Sequence, residues 1–266
     1  MQRREHWPVA LSIAGSDSGG GAGIQADLKT FAALGVQGTT AITCVTAQNP
    51  RGVRAIQACR EALVRQQIEA VFEEFPPRAV KTGMLFSRGI IRVVAEFLRV
   101  GKRPPLVVDP VMVATSGARL LQPAATRALQ DELLPLATLV TPNLDEAAIL
   151  AGRPLESVED LRWAAREIHR RHGCPALVKG GHLRGLREAV DLFFDGETEL
   201  LLSAPRVAGF STHGTGCTYS AAIAGYLALG LALPRAVEMA KNHITQSIAQ
   251  GLRVAAHDVL NPFWRG

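Results

Sequence analysis

From residue 9 to about residue 180, short runs rich in β-branched and apolar residues alternate with helix-length amphipathic segments, and this alternation restricts the fold more than any other feature of the chain. Runs at 9–14, 39–46, 79–83, 106–109, 139–141 and 176–179 read as strands, and segments at 24–34, 60–72, 89–98, 124–134 and 158–172 read as helices. Strands that are apolar throughout and separated by helices imply a mostly parallel sheet covered on both faces. After residue 185 the rhythm changes. Residues 189–194 and 198–202 flank Asp195-Gly196, a favoured tight turn, and predict an antiparallel hairpin at the sheet edge. Helices at 215–230 and 234–250 then close the chain. The expected fold class is α/β, a three-layer α/β/α sandwich with a mostly parallel central sheet and an antiparallel edge hairpin, in one domain over residues 1–266.

Composition excludes several functions. The net charge of +5, from 29 basic and 24 acidic residues, is spread along the chain. Its densest basic cluster, Arg162, Arg166, Arg170 and Arg171, has the spacing of a solvated helix face. Aromatic residues make up only 5%, too few to stack single strands, and no zinc-finger or RNP pattern occurs, so no nucleic-acid partner is expected. The cysteines at 44, 59, 174 and 217 form no CxxC pair, which predicts reduced thiols and a cytoplasmic chain. The apolar run at 9–14 is too short for a signal-peptide core, so no export is expected. The longest apolar run, 221–233, is short of the roughly 20 residues that cross a bilayer, and it reads as a buried helix.

In sheets of this kind ligands bind beyond the carboxyl ends of the strands. Polar or glycine clusters fall at six such ends: residues 15–23, Gln48-Asn49, Met84, Asp109, Asn143 with Glu146, and Lys179-Gly180-Gly181. A further glycine-spaced turn, Ser211-Thr212-His213-Gly214-Thr215-Gly216-Cys217-Thr218, runs straight into an apolar helix. Backbone N–H groups at such a helix start, with its positive dipole end, suit a phosphate. Gly214 and Gly216 are equally compatible with a plain strand-to-helix connection. Cys217 would lie in the first helical turn, where the dipole favours the thiolate, or would serve there as a small buried hydrophobe. The glycine loop at 15–23 lacks both the Gly-Lys-Ser/Thr ending of a P-loop and a clean GxGxxG. Asp27 is expected in the first turn of the following helix, either as a cap or as a ligand contact. Asn143 has the same two readings, and Met84 reads as core or as a site wall.

The strings AGSDSGGGAGIQADLKTF, TAQNPRGV, VVDPVMVATSG, TPNLDEA, VKGGH and THGTGC, in this order, resemble the hydroxymethylpyrimidine/phosphomethylpyrimidine kinases of thiamine biosynthesis, in the ribokinase-like superfamily. The resemblance extends from about residue 9 to about residue 250. It implies a ribokinase-like fold and phosphoryl transfer from ATP, with Mg²⁺, first to 4-amino-5-hydroxymethyl-2-methylpyrimidine and then to its monophosphate. By the same resemblance Gln48, Gly15 and Asp27 make polar contacts to the aminopyrimidine, and Met84 and Val111 wall its ring. An amide such as Gln48 suits that substrate because it accepts from the exocyclic amine and donates to the adjacent ring nitrogen. Lys179 corresponds to a phosphate-contacting lysine. Asp109 and Glu146 correspond to the Mg²⁺ carboxylates. Asn143 and Thr215 fall on the nucleotide side. Gly214, Gly216 and Cys217 line the transferring phosphoryl, and Cys217 occupies the place where many sugar kinases of the superfamily carry an aspartate base. A homodimer is implied as well. Thr115 departs from the pattern, because the family often has lysine there; a cationic contact at that place is either absent or supplied by an arginine such as Arg119. Two other functions fit part of this pattern: a pyridoxal kinase, which phosphorylates a hydroxymethyl on a similar ring, and a non-catalytic pyrimidine-binding module.

Overall fold

In a computed structural model, the structure describes residues 6–101, 103–112, 121, 123–183, 185–207 and 213–264. The first half of the chain alternates β1 (Val9–Asp17), α1 (Gly23–Ala33), β2 (Gln37–Asn49), β3 (Gly52–Ala58), α2 (Glu61–Glu74), β4 (Ala79–Thr82) and α3 (Arg88–Arg99). There follow β5 (Leu106–Val108), α4 (Pro123–Ala128), β6 (Leu139–Val140), α5 (Leu144–Ala151), α6 (Val158–His172) and β7 (Ala176–Lys179). The hairpin of β8 (Glu188–Phe194) and β9 (Glu199–Pro205), helices α7 (Thr215–Ala228) and α8 (Leu233–Ala249), and a small hairpin of β10 (Leu252–Val254) and β11 (His257–Val259) complete it.

One nine-stranded sheet runs in the order β3-β2-β1-β4-β5-β6-β7-β8-β9. The six strands from β2 to β7 pair in parallel, whereas β3, β8 and β9 are antiparallel to their neighbours. The inner strands divide their side chains by the two-residue period of a strand. Leu11, Ile13, Val80, Leu106, Val108, Val140 and Val178 enter one core, and Ala10, Ala79, Val107, Leu139 and Leu177 enter the other. Helices α2 to α6 cover the first core, while α1, α7 and α8 cover the second. The three-layer sandwich and the edge hairpin expected from the sequence are therefore the observed fold.

Three features differ from expectation, one of them the small β10–β11 hairpin after α8. β3 continues the sheet on the side opposite the β8–β9 hairpin and is paired antiparallel to β2, with Gln48 opposite Val53. The segment at 124–134 is not one α-helix: α4 passes into a π turn at Leu129–Leu133 and a 3₁₀ turn at Leu134–Leu136. Pro135 has no N–H to continue an α-helical ladder, so the chain changes its hydrogen-bond spacing there.

Between β1 and β4 the strand order reverses. β1 leads through α1 to β2 on one side, and the chain returns through α2 to β4 on the other. A crevice opens outside the carboxyl ends at such a reversal, and it places residues after β1, β2, β4, β5, β6 and β7 along one edge.

Candidate active site

The first-loop glycines and the second glycine turn lie in atomic contact. Gly214 caps α7 with φ 81°, a left-handed conformation, and a Cβ built on it would lie 1.8 Å from the carbonyl oxygen of Gly21. The first loop takes its shape from Asp17. The carboxylate accepts N–H bonds from Gly19, Gly21 and Ala22 at 2.8, 3.1 and 2.9 Å, and His213 Nε2 lies 3.4 Å away. Burial pushes the Asp17 pKa up, but His213 and the backbone N–H groups outweigh it and hold the group below its ordinary value. Asp17 thus ties the first loop to the residue before Gly214. Within α7 the first intrahelical bond of the turn is Thr218 N–H to the Gly214 carbonyl, so the N–H groups of Thr215, Gly216 and Cys217 have no acceptor inside the helix. The buried Thr215 hydroxyl has no hydrogen-bond partner among the described residues. Both facts suit an anion at this turn. Gly214→Ala combines a left-handed φ with that backbone clash, and a loss of at least about 1–3 kcal/mol is expected in urea unfolding.

Next to this turn Lys179, the last residue of β7, meets Asp109, the first residue after β5. Lys179 Nζ donates to Asp109 Oδ1 at 3.1 Å, which also accepts from Thr141 Oγ1 at 3.4 Å, while Ser220 of α7 donates to Asp109 Oδ2 at 3.1 Å. A Cβ on Gly216 would lie 3.3 Å from Lys179 Nζ. Burial disfavours the ammonium, yet Asp109 and Glu146 outweigh it and hold the Lys179 pKa above its ordinary value. The cation is therefore fixed at the helix start that the sequence marked as a phosphate cradle.

Glu146 and Asn143 form a capping box at α5: Asn143 Oδ1 accepts from Glu146 N–H, and Glu146 Oε2 accepts from Asn143 N–H, both at 3.0 Å. Glu146 Oε1 accepts from Met112 N–H at 3.0 Å. Of the two readings of Asn143, the structure shows the cap. The Glu146 clamp holds the backbone beside Val111, whose φ of 45° is costly for a β-branched residue. Among the described residues no three His, Cys, Asp or Glu side chains gather as a metal cage. Mg²⁺ usually takes one or two carboxylates and keeps several waters, so Asp109 and Glu146 fit it best through those waters, without surrendering their present hydrogen bonds.

Burial pushes the Glu146 pKa up to about 7, with Asp109 adding to the rise and Lys179 opposing it. The N–H bonds from Asn143 and Met112 favour the carboxylate and oppose the rise without cancelling it. A folded pKa above the ordinary 4.5 means that the protonated group favours the fold: its contribution is complete below that value and is lost as the pH rises toward about 7. The rate should move the opposite way. kcat/KM is expected to climb as the pH rises through about 7, and Glu146→Gln should flatten that limb in a pH–rate profile.

The other predicted residues cluster around the end of β1. A Cβ on Gly15 would lie 2.8 Å from Cys44 Sγ and 3.8 Å from Met84 Cβ, so Gly15 and Met84 share one corner. Thr43 Oγ1 donates to the Met84 carbonyl at 2.6 Å and fixes that corner. Gln48 belongs to β2 itself, just past a bulge, with its backbone bonded both ways to Ser18 Oγ and its side-chain oxygen 3.3 Å from Thr46 Oγ1.

Asp27 is not the helix cap. It lies one residue deeper in α1 than expected, because the helix starts at Gly23, and it is fully buried. Both carboxylate oxygens accept from Lys81 Nζ at 2.9 Å, and one also accepts from Ser12 Oγ at 2.5 Å. Of the two readings of Cys217, burial favours the neutral thiol. Burial pushes its thiol up to about 11, and the Asp109 and Asp27 carboxylates add to this against the pull of Lys81, so the thiolate is disfavoured despite the helix dipole.

Sequence reasoning missed Asp17, Thr141, Ser220 and Lys81. Asp17 carried a signal, because an aspartate just before a glycine run commonly accepts from the N–H groups that follow. The others support their partners only through the tertiary fold. Thr115, Arg119, Ser211 and Thr212 lie outside the described residues.

The sequence matches the phosphomethylpyrimidine kinase family over residues 17–261. It is 54% identical over 248 residues to the hydroxymethylpyrimidine/phosphomethylpyrimidine kinase of Rhizobium meliloti strain 1021, covering 92% of each chain. The phosphomethylpyrimidine kinase of Clostridium difficile 630 has a similar structure, with a TM-score of 0.81 and 44% identity, covering 91% of this chain and 99% of that one. The pyridoxal kinase of Bacillus subtilis in its ADP complex superposes with a TM-score of 0.88 at 36% identity, covering 96% of this chain and 97% of that one. The family match takes in every predicted site residue but Gly15, the relative is similar over nearly the whole chain, and the fold is that of both kinase structures: the chain belongs to the phosphomethylpyrimidine kinase family, with a ribokinase-like fold.

Proposed function

We propose that this protein is the bifunctional kinase of thiamine biosynthesis that moves the γ-phosphoryl of ATP to the hydroxymethyl oxygen of 4-amino-5-hydroxymethyl-2-methylpyrimidine, and then moves a second phosphoryl to the monophosphate. The observation that carries the proposal is the Lys179–Asp109 pair beside Gly216, at the start of a helix whose first N–H groups lack intrahelical acceptors.

In the first step the hydroxymethyl oxygen forms a bond to the γ-phosphorus and loses its proton, in the second step a monophosphate oxygen attacks instead, and in both the bond from that phosphorus to the ADP oxygen breaks. The loose transition state spreads charge over the phosphoryl oxygens, so clamping that charge matters more than removing the proton. Lys179 and the N–H groups of Thr215, Gly216 and Cys217 supply the clamp. Asp109 and Glu146 would hold Mg²⁺, which would supply charge neutralisation when bound. Cys217 lines the site as a neutral thiol. Gln48, Gly15 and Met84 receive the pyrimidine, and Val111 walls its ring.

The likeness to a pyridoxal kinase supports a second reading, in which pyridoxal is the substrate. Gln48 favours the aminopyrimidine, because pyridoxal lacks the adjacent amine and ring nitrogen that an amide pairs with. The proposal includes a cytoplasmic homodimer. Val45 of β2 and Val53 of β3, on the two strands at one edge of the sheet, are exposed apolar side chains available for self-association. No helix among the described residues is long and apolar enough to cross a membrane.

The test is ADP release with MgATP and, in parallel, the hydroxymethylpyrimidine, its monophosphate and pyridoxal. Turnover on both pyrimidines with little on pyridoxal is the expected result. Turnover mainly on pyridoxal overturns the assignment of Gln48, and binding of the pyrimidine without ADP release on any substrate leaves only a binding module.

A further inference from the structure

Three of the four lysines among the described residues end in ion pairs with buried aspartates: Lys81 with Asp27, Lys179 with Asp109, and Lys241 with Asp191. The third pair has no part in the reaction proposed above, yet it lies directly behind Lys179. Asp191 is the residue of β8 paired with Lys179 across the sheet. Its Oδ1 accepts from the N–H of Gly180 at 3.0 Å, the first peptide beyond Lys179. Its Oδ2 accepts from Lys241 Nζ of α8 at 2.7 Å, and Lys241 also donates to the Ala189 carbonyl at 2.9 Å.

Gly180 has no slack. A Cβ there would lie 2.4 Å from the Val190 carbonyl oxygen and 2.5 Å from Leu161 Cδ1, and Lys179 N–H is bonded to the Pro142 carbonyl at 2.9 Å. The backbone leaving β7 is thus held on one side by Pro142 and on the other by the Asp191 carboxylate. Asp191 also neighbours α7, since burial and this carboxylate together push the Tyr219 phenol well above its ordinary pKa. One buried charge therefore connects β8, α8 and the turn that carries the phosphate-clamping lysine.

We propose that Asp191, with its charge held by Lys241, is a positioning residue for phosphoryl transfer: it fixes the Lys179–Gly180 backbone and so sets where the Lys179 ammonium meets the transferring phosphoryl. This rests on the assignment of Lys179 to the phosphate. A merely structural ion pair would stabilise the fold and leave the kinetics of the folded enzyme unchanged. A positioning residue must split the kinetic constants, because the pyrimidine corner at Gly15 and Met84 is built from other strands.

The experiment uses the full chain with the hydroxymethylpyrimidine and MgATP, and measures kcat, both KM values and the thermal midpoint for four variants. Misplacement of about 1 Å at a reacting group can cost about 100-fold. On that scale Asp191→Ala is expected to lower kcat by about 30- to 100-fold and raise the KM for ATP, with the KM for the pyrimidine within about twofold. The double variant Asp191→Asn/Lys241→Met keeps an acceptor for Gly180 N–H and leaves no lone buried charge. It should recover to within about fivefold of the parent, whereas Lys241→Met alone, which strands the carboxylate, should be worse than the double variant. The proposal fails if Asp191→Ala lowers the thermal midpoint but leaves kcat and the KM for ATP unchanged. It also fails if the pyrimidine KM rises as much as that for ATP, or if the double variant is as impaired as Asp191→Ala. Should Asp191→Ala not fold, the comparison of the double variant with Lys241→Met decides. Lys179→Ala separates the two assignments: if it leaves turnover intact, the role of Lys179 is wrong, and if it abolishes turnover while Asp191→Ala does not, only the positioning proposal falls.

Discussion

Lys179→Ala is expected to lower kcat by about a thousandfold at saturating substrates, the scale on which a single charge clamp at a transferring phosphoryl or oxyanion acts. The cause is geometric. Lys179 Nζ is fixed by Asp109 and lies close to Gly216, at the N-terminal turn of α7. Removing it takes away the positive charge and leaves Asp109 with Thr141 and Ser220 as its side-chain donors among the described residues. A stability loss of about 1–3 kcal/mol should accompany the kinetic loss, since a buried acceptor loses its charged partner. Lys179→Arg is not a conservative rescue, because the planar guanidinium does not occupy the point position of an ammonium. Cys217→Ala is the informative contrast. Burial keeps that thiol protonated, with a pKa of about 11, so its removal should cost less than about tenfold in kcat. Steady-state ADP release on purified variants measures both. If the order is reversed, with Cys217→Ala the more damaging, the thiol takes part in proton transfer and the charge-clamp account is wrong.

The second large effect concerns folding. Lys81→Met or Asp27→Ala alone should destabilise the protein by about 3–5 kcal/mol, because each leaves an uncompensated charge in the interior. Both side chains are fully buried, and Nζ lies 2.9 Å from each carboxylate oxygen. Burial works against the ammonium, but the Asp27 carboxylate outweighs it and keeps Lys81 charged. An apolar pair of similar volume, Asp27→Leu with Lys81→Met, should recover much of the loss, since a buried ion pair is often no more stabilising than a packed apolar one. Urea unfolding of the two single variants and the double variant gives the coupling directly. Additive losses would show that the two groups do not depend on each other.

What the sequence disclosed and what it hid follow from the range of the interactions. Strands β1, β2 and β4 to β7 were legible because each is apolar and bounded by turns, so local pattern and burial agree. β3 was hidden: Gly52–Ala58 is largely exposed, and only its pairing with β2 makes it a strand. The break after α4 was signalled by Pro135, but its outcome was set by packing. At the site, residues at the strand ends and in the glycine turn could be named because topology sends strand ends to one edge. Their chemistry was less legible. Asp27 and Cys217 were placed by helix position as well as by the resemblance, and neither source could show that burial binds the Asp27 carboxylate to Lys81 and raises the Cys217 thiol. Asp191 and Lys241, 50 residues apart in sequence, show nothing locally that joins them.

The contact between Gly21 and Gly214 has a consequence for biosynthesis of the protein itself. The two walls of the phosphate turn come from opposite ends of the chain, and they touch so closely that a single methyl group would part them. During translation the first loop emerges early and must wait for nearly the whole chain before its counterpart exists. A nascent chain stopped before α7 can pair β1 with its neighbours, but it has no anion cradle and leaves the apolar face that α7 covers open to solvent. For such a chain a bound nucleotide cannot assist early folding; it can stabilise only the finished molecule, and the exposed second core makes the interval before α7 docks the period of greatest exposure to aggregation.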